Sequence, residues 1–311
     1  MNHKNVTQVS EFLLHGFTSQ PELRKILFPA FLFMYLLVLL GNTTIIFLIR
    51  SDARLLQSPM YFFLSFLAVC DLGFCSNIIP KAIENLVSQK KTISYQGCLT
   101  QIFFAIFIGN ADSYILASMA YDRFVAICRP LYYSAMMSYE RCVQLAAVSW
   151  TIPFFHSVLY TVLMSRVEFC NPGEIPQFFC DLYPVLDVSC SDSTVIELVL
   201  LTEGIVEILG PFVLIIISYI FIFYTIMKIP SAVAKRKAFS TCGSHLFVVV
   251  MYFGGISFVY FKPNAKLPER KDTVAAIMYT LVTPMLNPFI YTLRNNEMKA
   301  AMKRVYRKYF H

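Results

Sequence analysis

Charge is what this sequence has least of. Asp, Glu, Lys and Arg make up 14% of its 311 residues, against about a quarter in ordinary soluble domains. Residues 26–49 carry no Asp, Glu, Lys, Arg or His, and neither do residues 273–293. A soluble core does not need uncharged runs that long, and runs beyond ~18 apolar residues read as membrane-crossing helices. A broad basic face is missing too. The formal charge of +7 collects in short loops and the tail, so it is no nucleic-acid signal.

Catalytic signatures are also absent. No His-Glu-x-x-His or Gly-x-Ser-x-Gly occurs, and His156 and His245 are solitary. A membrane hydrolase needs a nucleophile–base pair or a metal set at helical spacing, so the chain does not read as an enzyme. The inverted repeats and broken midplane helices of transporters are not evident either. The first 25 residues are polar and mixed in charge, without the apolar stretch and cleavage site of a secretory signal. The first span is therefore expected to act as its own insertion signal.

What remains is hydrophobic: 57% of the residues are apolar or aromatic. Seven stretches are long enough to cross a bilayer, at roughly 26–50, 59–80, 98–128, 142–164, 198–228, 238–261 and 273–293. The expected fold class is an all-α membrane protein, a seven-transmembrane helix bundle with a short amphipathic C-terminal helix. Residues 1–25 form an extracellular N-terminus, 26–293 the bundle and 294–311 a cytoplasmic tail. Pro80, Pro153, Pro211 and Pro288 fall within spans, where neighbouring groups satisfy the freed carbonyls. The tail alternates Arg294, Lys299, Lys303, Arg304, Arg307 and Lys308 with Met298, Met302, Val305 and Phe310, the pattern of a helix lying on the inner leaflet.

Orientation follows from the distribution of cations. With the N-terminus outside, the inner segments hold 15 of the 26 Lys and Arg residues, as positive-inside topology requires. Asn5-Val6-Thr7 is then an accessible glycosylation acceptor, whereas Asn42-Thr43-Thr44 lies inside the first span. Cys98, Cys170, Cys180 and Cys190 fall in outer segments, where disulfides persist. Four cysteines permit three pairings and spacing does not choose among them. A bond from Cys98 to the loop at 165–197 would draw that loop over the mouth of the bundle. From Cys98 to Arg123 the third span runs about 37 Å, so its two ends face opposite sides of the membrane.

The inner end of that span reads Met119-Ala120-Tyr121-Asp122-Arg123-Phe124-Val125-Ala126-Ile127-Cys128. An Asp-Arg pair is costly in hydrocarbon and belongs at a membrane face or inside a protein bundle. Together with Pro59-Met60-Tyr61-Phe62-Phe63-Leu64, Ser218-Tyr219, Lys237-Ala238-Phe239-Ser240-Thr241-Cys242, Ser244-His245-Leu246 and Pro284-Met285-Leu286-Asn287-Pro288-Phe289-Ile290-Tyr291, it resembles the odorant receptor family of rhodopsin-like G-protein-coupled receptors. The match runs almost end to end. Phe124, Arg129 and Asp112 depart from the family's common Tyr, His and Glu, and Tyr252-Phe253-Gly254 inverts a frequent Phe-Tyr-Gly.

The resemblance implies a plasma-membrane receptor that binds a small volatile odorant and activates a stimulatory heterotrimeric G protein, raising cAMP. It implies disulfides Cys98–Cys180 and Cys170–Cys190. It makes Asp122 and Arg123 a switch, with Tyr219 and Tyr291 repacking on activation and His245 repacking near the inner gate. It makes Asp71 and Asp112 a sodium pocket; the competing structural reading is a protonated acid bonded to Asn42, Asn287 or Ser113. No other cofactor is implied. Ala105, Ile106, Gly109, Asn110 and Ser113 recur at three- and four-residue steps on one face of the third span and match the family's ligand-facing positions. Phe253, Ile256, Ser257 and Tyr260 form a comparable stripe on the sixth.

Glu203 and Glu207 are four apart on the fifth span and share a face. They suit a cationic or donor-rich ligand, or they sit near the wet outer surface or face Asn110 and Ser257 as structural partners. A rhodopsin-like receptor for another small ligand, such as an amine, is the rival reading. Against it, Ala105 stands where amine receptors typically carry an acid.

Overall fold

Backbone N–H and C=O groups have no water to bond in hydrocarbon, so a spanning segment must satisfy them internally. The computed structural model does so with helices; it describes residues 9–17, 20–169, 173–191, 194–260, 269–293 and 295–310. Seven helices among these are long and apolar enough to cross a membrane: Pro21–Ser51, Pro59–Val87, Tyr95–Cys128, Tyr139–Met164, Thr194–Met227, Ala232–Phe258 and Thr273–Thr292. They are the expected spans, several of them a turn or more longer at one end. Phe33, Leu40, Leu214, Ile220 and Phe221 are exposed on the outside of the bundle, which lipid rather than water accounts for.

The third span sits at the centre and packs against the second, fourth, fifth and sixth. Leu64 and Leu67 of the second span meet Ile115, Leu116 and Met119 of the third and Val248 and Val249 of the sixth in one buried cluster. The first span leans on the second and seventh. A Cβ at Gly41 would lie 2.8 Å from Cγ of Pro288, so only glycine lets these helices approach this closely. Beside it, Asn42 donates to the carbonyl oxygens of Val38 and Pro284 at 3.1 and 3.2 Å. The seventh span contains two π-helical turns, Met278–Val282 and Phe289–Leu293, around Thr283–Pro288. Pro284 and Pro288 lack an N–H, and wide turns of this kind absorb the break in bonding.

The outer mouth carries an element that hydropathy did not reveal. Strand β1 (Glu11–Leu14) pairs antiparallel with β2 (Thr92–Ser94) and parallel with β3 (Glu174–Ile175), giving the order β2-β1-β3. Phe12 and Leu14 point inward and are almost fully buried. Their strand therefore stitches the N-terminal segment to both outer loops. Cys98 is bonded to Cys180, which draws the second of those loops over the bundle. Gln101 Oε1, one turn below, accepts from the Cys180 backbone N–H at 2.8 Å.

At the inner face, helix Asn296–Phe310 buries Met298, Ala301 and Val305 while Lys299, Lys303, Arg307 and Lys308 are exposed. Two polar ties pin it. Arg304 Nε bonds Asp52 Oδ2 at 2.7 Å, and the Tyr61 hydroxyl donates to Glu297 Oε2 at 2.8 Å while accepting from Asn295.

Candidate functional site

The outer half of the bundle encloses a cavity of about 150 Å³, below the ~300–1,000 Å³ typical of drug-sized sites. Ala105, Ile106, Gly109, Asn110 and Ser113 line one wall, as their three- and four-residue steps predict. Phe253 and Ile256 of the sixth span and Glu207 of the fifth also line it. Eight of the sequence-derived ligand positions thus share one space.

Three do not. Glu203 is absent from the lining and its side chain is 43% exposed. Four helical residues rotate a side chain by a further 40° and raise it about 6 Å, enough to turn Glu203 off the wall that Glu207 reaches. Ser257 is exposed and also stands off the cavity, for the same angular reason relative to Phe253. The side chain of Tyr260 lies outside the described residues, as do Asn5 and Cys170. Cys190 is itself disulfide-bonded.

Other lining residues escaped the sequence reading. Leu200, Gly204 and Ile208 form a face of the fifth span at four-residue steps, a signal that extending the stripe from Glu207 would have found. Tyr160, Tyr252 and Tyr279 contribute from the fourth, sixth and seventh spans, and Phe179, Asp181 and Leu182 cap the cavity from the outer loop. The loop residues carry no periodicity, and the Cys98–Cys180 bond, the β1–β3 pairing and Gln101 bring them there.

The cavity wall holds one buried polar constellation. Glu207 Oε2 accepts from the Asn110 amide, and Glu207 Oε1 contacts His156 Nδ1. His156 Nε2 lies 3.7 Å from Glu203 Oε2 on its other side. The third, fourth and fifth spans are thereby joined through one carboxylate whose side chain is 2% exposed. Tyr252 closes the sixth span against the third by donating to the Gly109 carbonyl.

The floor carries the second pair of acids. Both oxygens of Asp71 accept from Asn287 Nδ2, at 3.1 and 2.9 Å. Asn42 and Ser113 bond elsewhere: Ser113 donates to the Asn110 carbonyl at 2.7 Å. Asp112 Oδ1 is buried without a hydrogen-bond partner among the described residues. Two nearby carboxyls and an orphaned oxygen form a hard, all-oxygen donor set that suits a small cation.

Inside, Arg123 Nε lies 4.0 Å from Asp122 Oδ2. Asp122 Oδ1 accepts from the Tyr133 hydroxyl at 2.7 Å, a partner in the short helix Tyr133–Met136 that no local pattern singles out. Burial pushes the Tyr133 phenol up and Asp122 adds to the shift, so it stays a donor. Tyr219 of the fifth span meets His245 Nδ1 of the sixth at 2.7 Å, with the rings stacked. The Tyr291 hydroxyl is buried and has no hydrogen-bond partner among the described residues.

Comparison with known proteins places this geometry. The olfactory receptor family model matches residues 31–308. Human olfactory receptor 1L1 is 52% identical over 305 residues, 98% of this chain and 84% of that relative. Olfactory receptor 1G1 of Gorilla gorilla gorilla is 50% identical over 305 residues, 98% and 97% of the two chains. Human olfactory receptor 1L3 is 48% identical over 308 residues, 99% and 94%.

Proposed function

The chain belongs to the olfactory receptor family, and from that premise we propose how this multi-pass plasma-membrane odorant receptor carries its signal to a G protein. The family signals rather than catalyses and needs no cofactor. The odorant occupies the outer cavity, touching Ala105, Ile106, Gly109, Asn110, Ser113, Glu207, Phe253 and Ile256. The partner inside is a stimulatory G protein, and the readout is cAMP.

One observation supports this route above others: the sixth span carries both ends of it. Phe253 and Ile256 border the cavity, and His245 holds Tyr219 at the inner side. The two sites are about two turns apart on a single rigid helix. A ligand that binds better when the sixth helix has moved shifts the population towards that arrangement. Movement breaks the Tyr219–His245 contact, frees Arg123 from Asp122 and lets Tyr291 repack towards the space vacated. Arg123 then meets the G protein.

Asp71 and Asp112 would hold a sodium ion beneath the cavity, where its charge offsets that of the two acids. Asn287 orients Asp71 for that role by bonding both of its oxygens. Residues 1–25 face outwards with Asn5 as glycan acceptor, 26–293 form the transducing bundle, and 294–311 rest on the cytoplasmic leaflet.

Arg123→Ala tests the route. Surface display should stay within about twofold, while odorant-evoked cAMP falls at least about tenfold, the loss of one charge-assisted contact. Full cAMP output from this variant overturns the mechanism.

A further inference from the structure

Among the described residues, every charged side chain on the cavity wall is an acid. Asp181 stands at the mouth, Glu207 on the wall and Asp71 and Asp112 at the floor, with no Lys, Arg or His among the described lining residues. Such a cavity repels a carboxylate and attracts a cation. Among the described residues its one wall carboxylate is Glu207, which is held by the Asn110 amide and lies against His156, so it is already placed to receive a charge. The imidazole of His156 faces two carboxylates, Glu203 and Glu207. Even when protonated it leaves that trio with one net negative charge.

A second group on the wall also awaits a partner. Tyr160 is 3% exposed and borders the cavity, yet its hydroxyl has no hydrogen-bond partner among the described residues. A buried hydroxyl without a partner costs free energy that a ligand can recover. Tyr160 lies one helical turn beyond His156, on the same face of the fourth span. The Glu207 anchor and Tyr160 therefore both border the cavity from around His156. Around them the wall is apolar and aromatic, with Phe253, Tyr252 and Tyr279 among its lining residues, a ring-rich surface of the kind that favours a cation.

We propose that this receptor's ligands are small protonated amines, whose ammonium donates to the Glu207 carboxylate and the Tyr160 hydroxyl while the hydrocarbon part fills the cavity. This rests on the outer cavity being the odorant site. The anchoring acid comes from the fifth helix, which is why Ala105 on the third does not exclude an amine. A primary alkylamine has an ordinary pKa near that of lysine, about 10.4, and so is protonated at neutral pH.

The test uses the full chain displayed on cells, with cAMP as readout and hexylamine, hexanol and hexanoic acid as matched probes. Hexylamine should act at a concentration about tenfold or more below hexanol, and hexanoic acid should be inactive. Glu207→Gln should raise the half-maximal hexylamine concentration by about 10- to 100-fold, the range for losing a charged hydrogen-bond partner. Tyr160→Phe should raise it by about three- to tenfold for a neutral partner, and Glu203→Gln by less than Glu207→Gln. Surface staining confirms that each variant reaches the membrane. The ligand class is overturned by silence to hexylamine, by preference for hexanoic acid, or by an unchanged response in Glu207→Gln. Activation by hexanol but not hexylamine also overturns it while leaving the odorant-receptor route intact. A hexylamine response that survives Arg123→Ala instead removes the route and spares the ligand class.

Discussion

The outer mouth is fastened by a covalent bond and a three-stranded sheet, whereas the gate around Arg123 at the inner face is closed by single hydrogen bonds and an ion pair at 4.0 Å. The outer half also keeps an open volume, while at the inner side Ile222, Ile226 and Cys242 pack against Phe124 and Ile127. A reading site gains affinity from being preorganised. An output site must change between two packings at modest cost. The two halves are built for those different demands, and the sixth span joins them.

Breaking the fastened half should have the largest effect. Cys98→Ser removes a bond that closes a separation of 82 residues, and loss of a native disulfide costs about 2–5 kcal/mol. Surface display, measured by antibody staining of intact cells, should fall to about a tenth or less of the parent. Near-normal display with normal signalling would show that the sheet alone holds the mouth.

The releasable half should respond in the opposite sense. Tyr133→Phe takes away the hydroxyl that Asp122 accepts and loosens the group facing Arg123. Display should be unchanged and ligand-free cAMP should rise about two- to fivefold, within what a fraction of one charged hydrogen bond allows. A fall in basal cAMP would mean that Tyr133 supports the active arrangement instead.

The smallest effect belongs to the tie that pins the C-terminal helix. The Arg304 hydrogen bond holds the Asp52 carboxyl below its ordinary value, overcoming the opposing effect of burial. A depressed carboxyl stabilises the fold above its unfolded pKa, about 3.9, and that contribution disappears as pH falls through the folded value. At neutral pH the tie is therefore fully present. Asp52→Asn should speed amide exchange in Asn296–Phe310 by about two- to threefold at pH 7 with little change in cAMP. In the parent receptor the same acceleration should emerge only below about pH 4. Equal exchange in parent and variant at neutral pH would show that Met298, Ala301 and Val305 hold the helix unaided.

Local periodicity carried the sequence reading a long way. It named the third-span wall from Ala105 to Ser113, because residues three and four apart on a helix must share a face whatever surrounds it. It named Asp122 and Arg123, because charge at the end of an apolar span is conspicuous by its cost. It did not resolve a small angular drift: Glu203 and Ser257 share a stripe with lining residues and stand off the cavity. It was also silent on Tyr133 and on the strand Glu11–Leu14, whose partners lie far along the chain.

Hydropathy and charge by themselves determined the seven crossings, their direction and the positions of the costly polar groups, since a bilayer taxes each residue according to its own chemistry. Only the tertiary structure decided that His156, solitary in the sequence, stands between Glu203 and Glu207, and that the hydroxyl of Tyr160, a turn away, has no partner among the described residues. Those relations depend on how the fourth and fifth helices are rotated against the third. Rotation is set by packing across the bundle, and no single span contains that information.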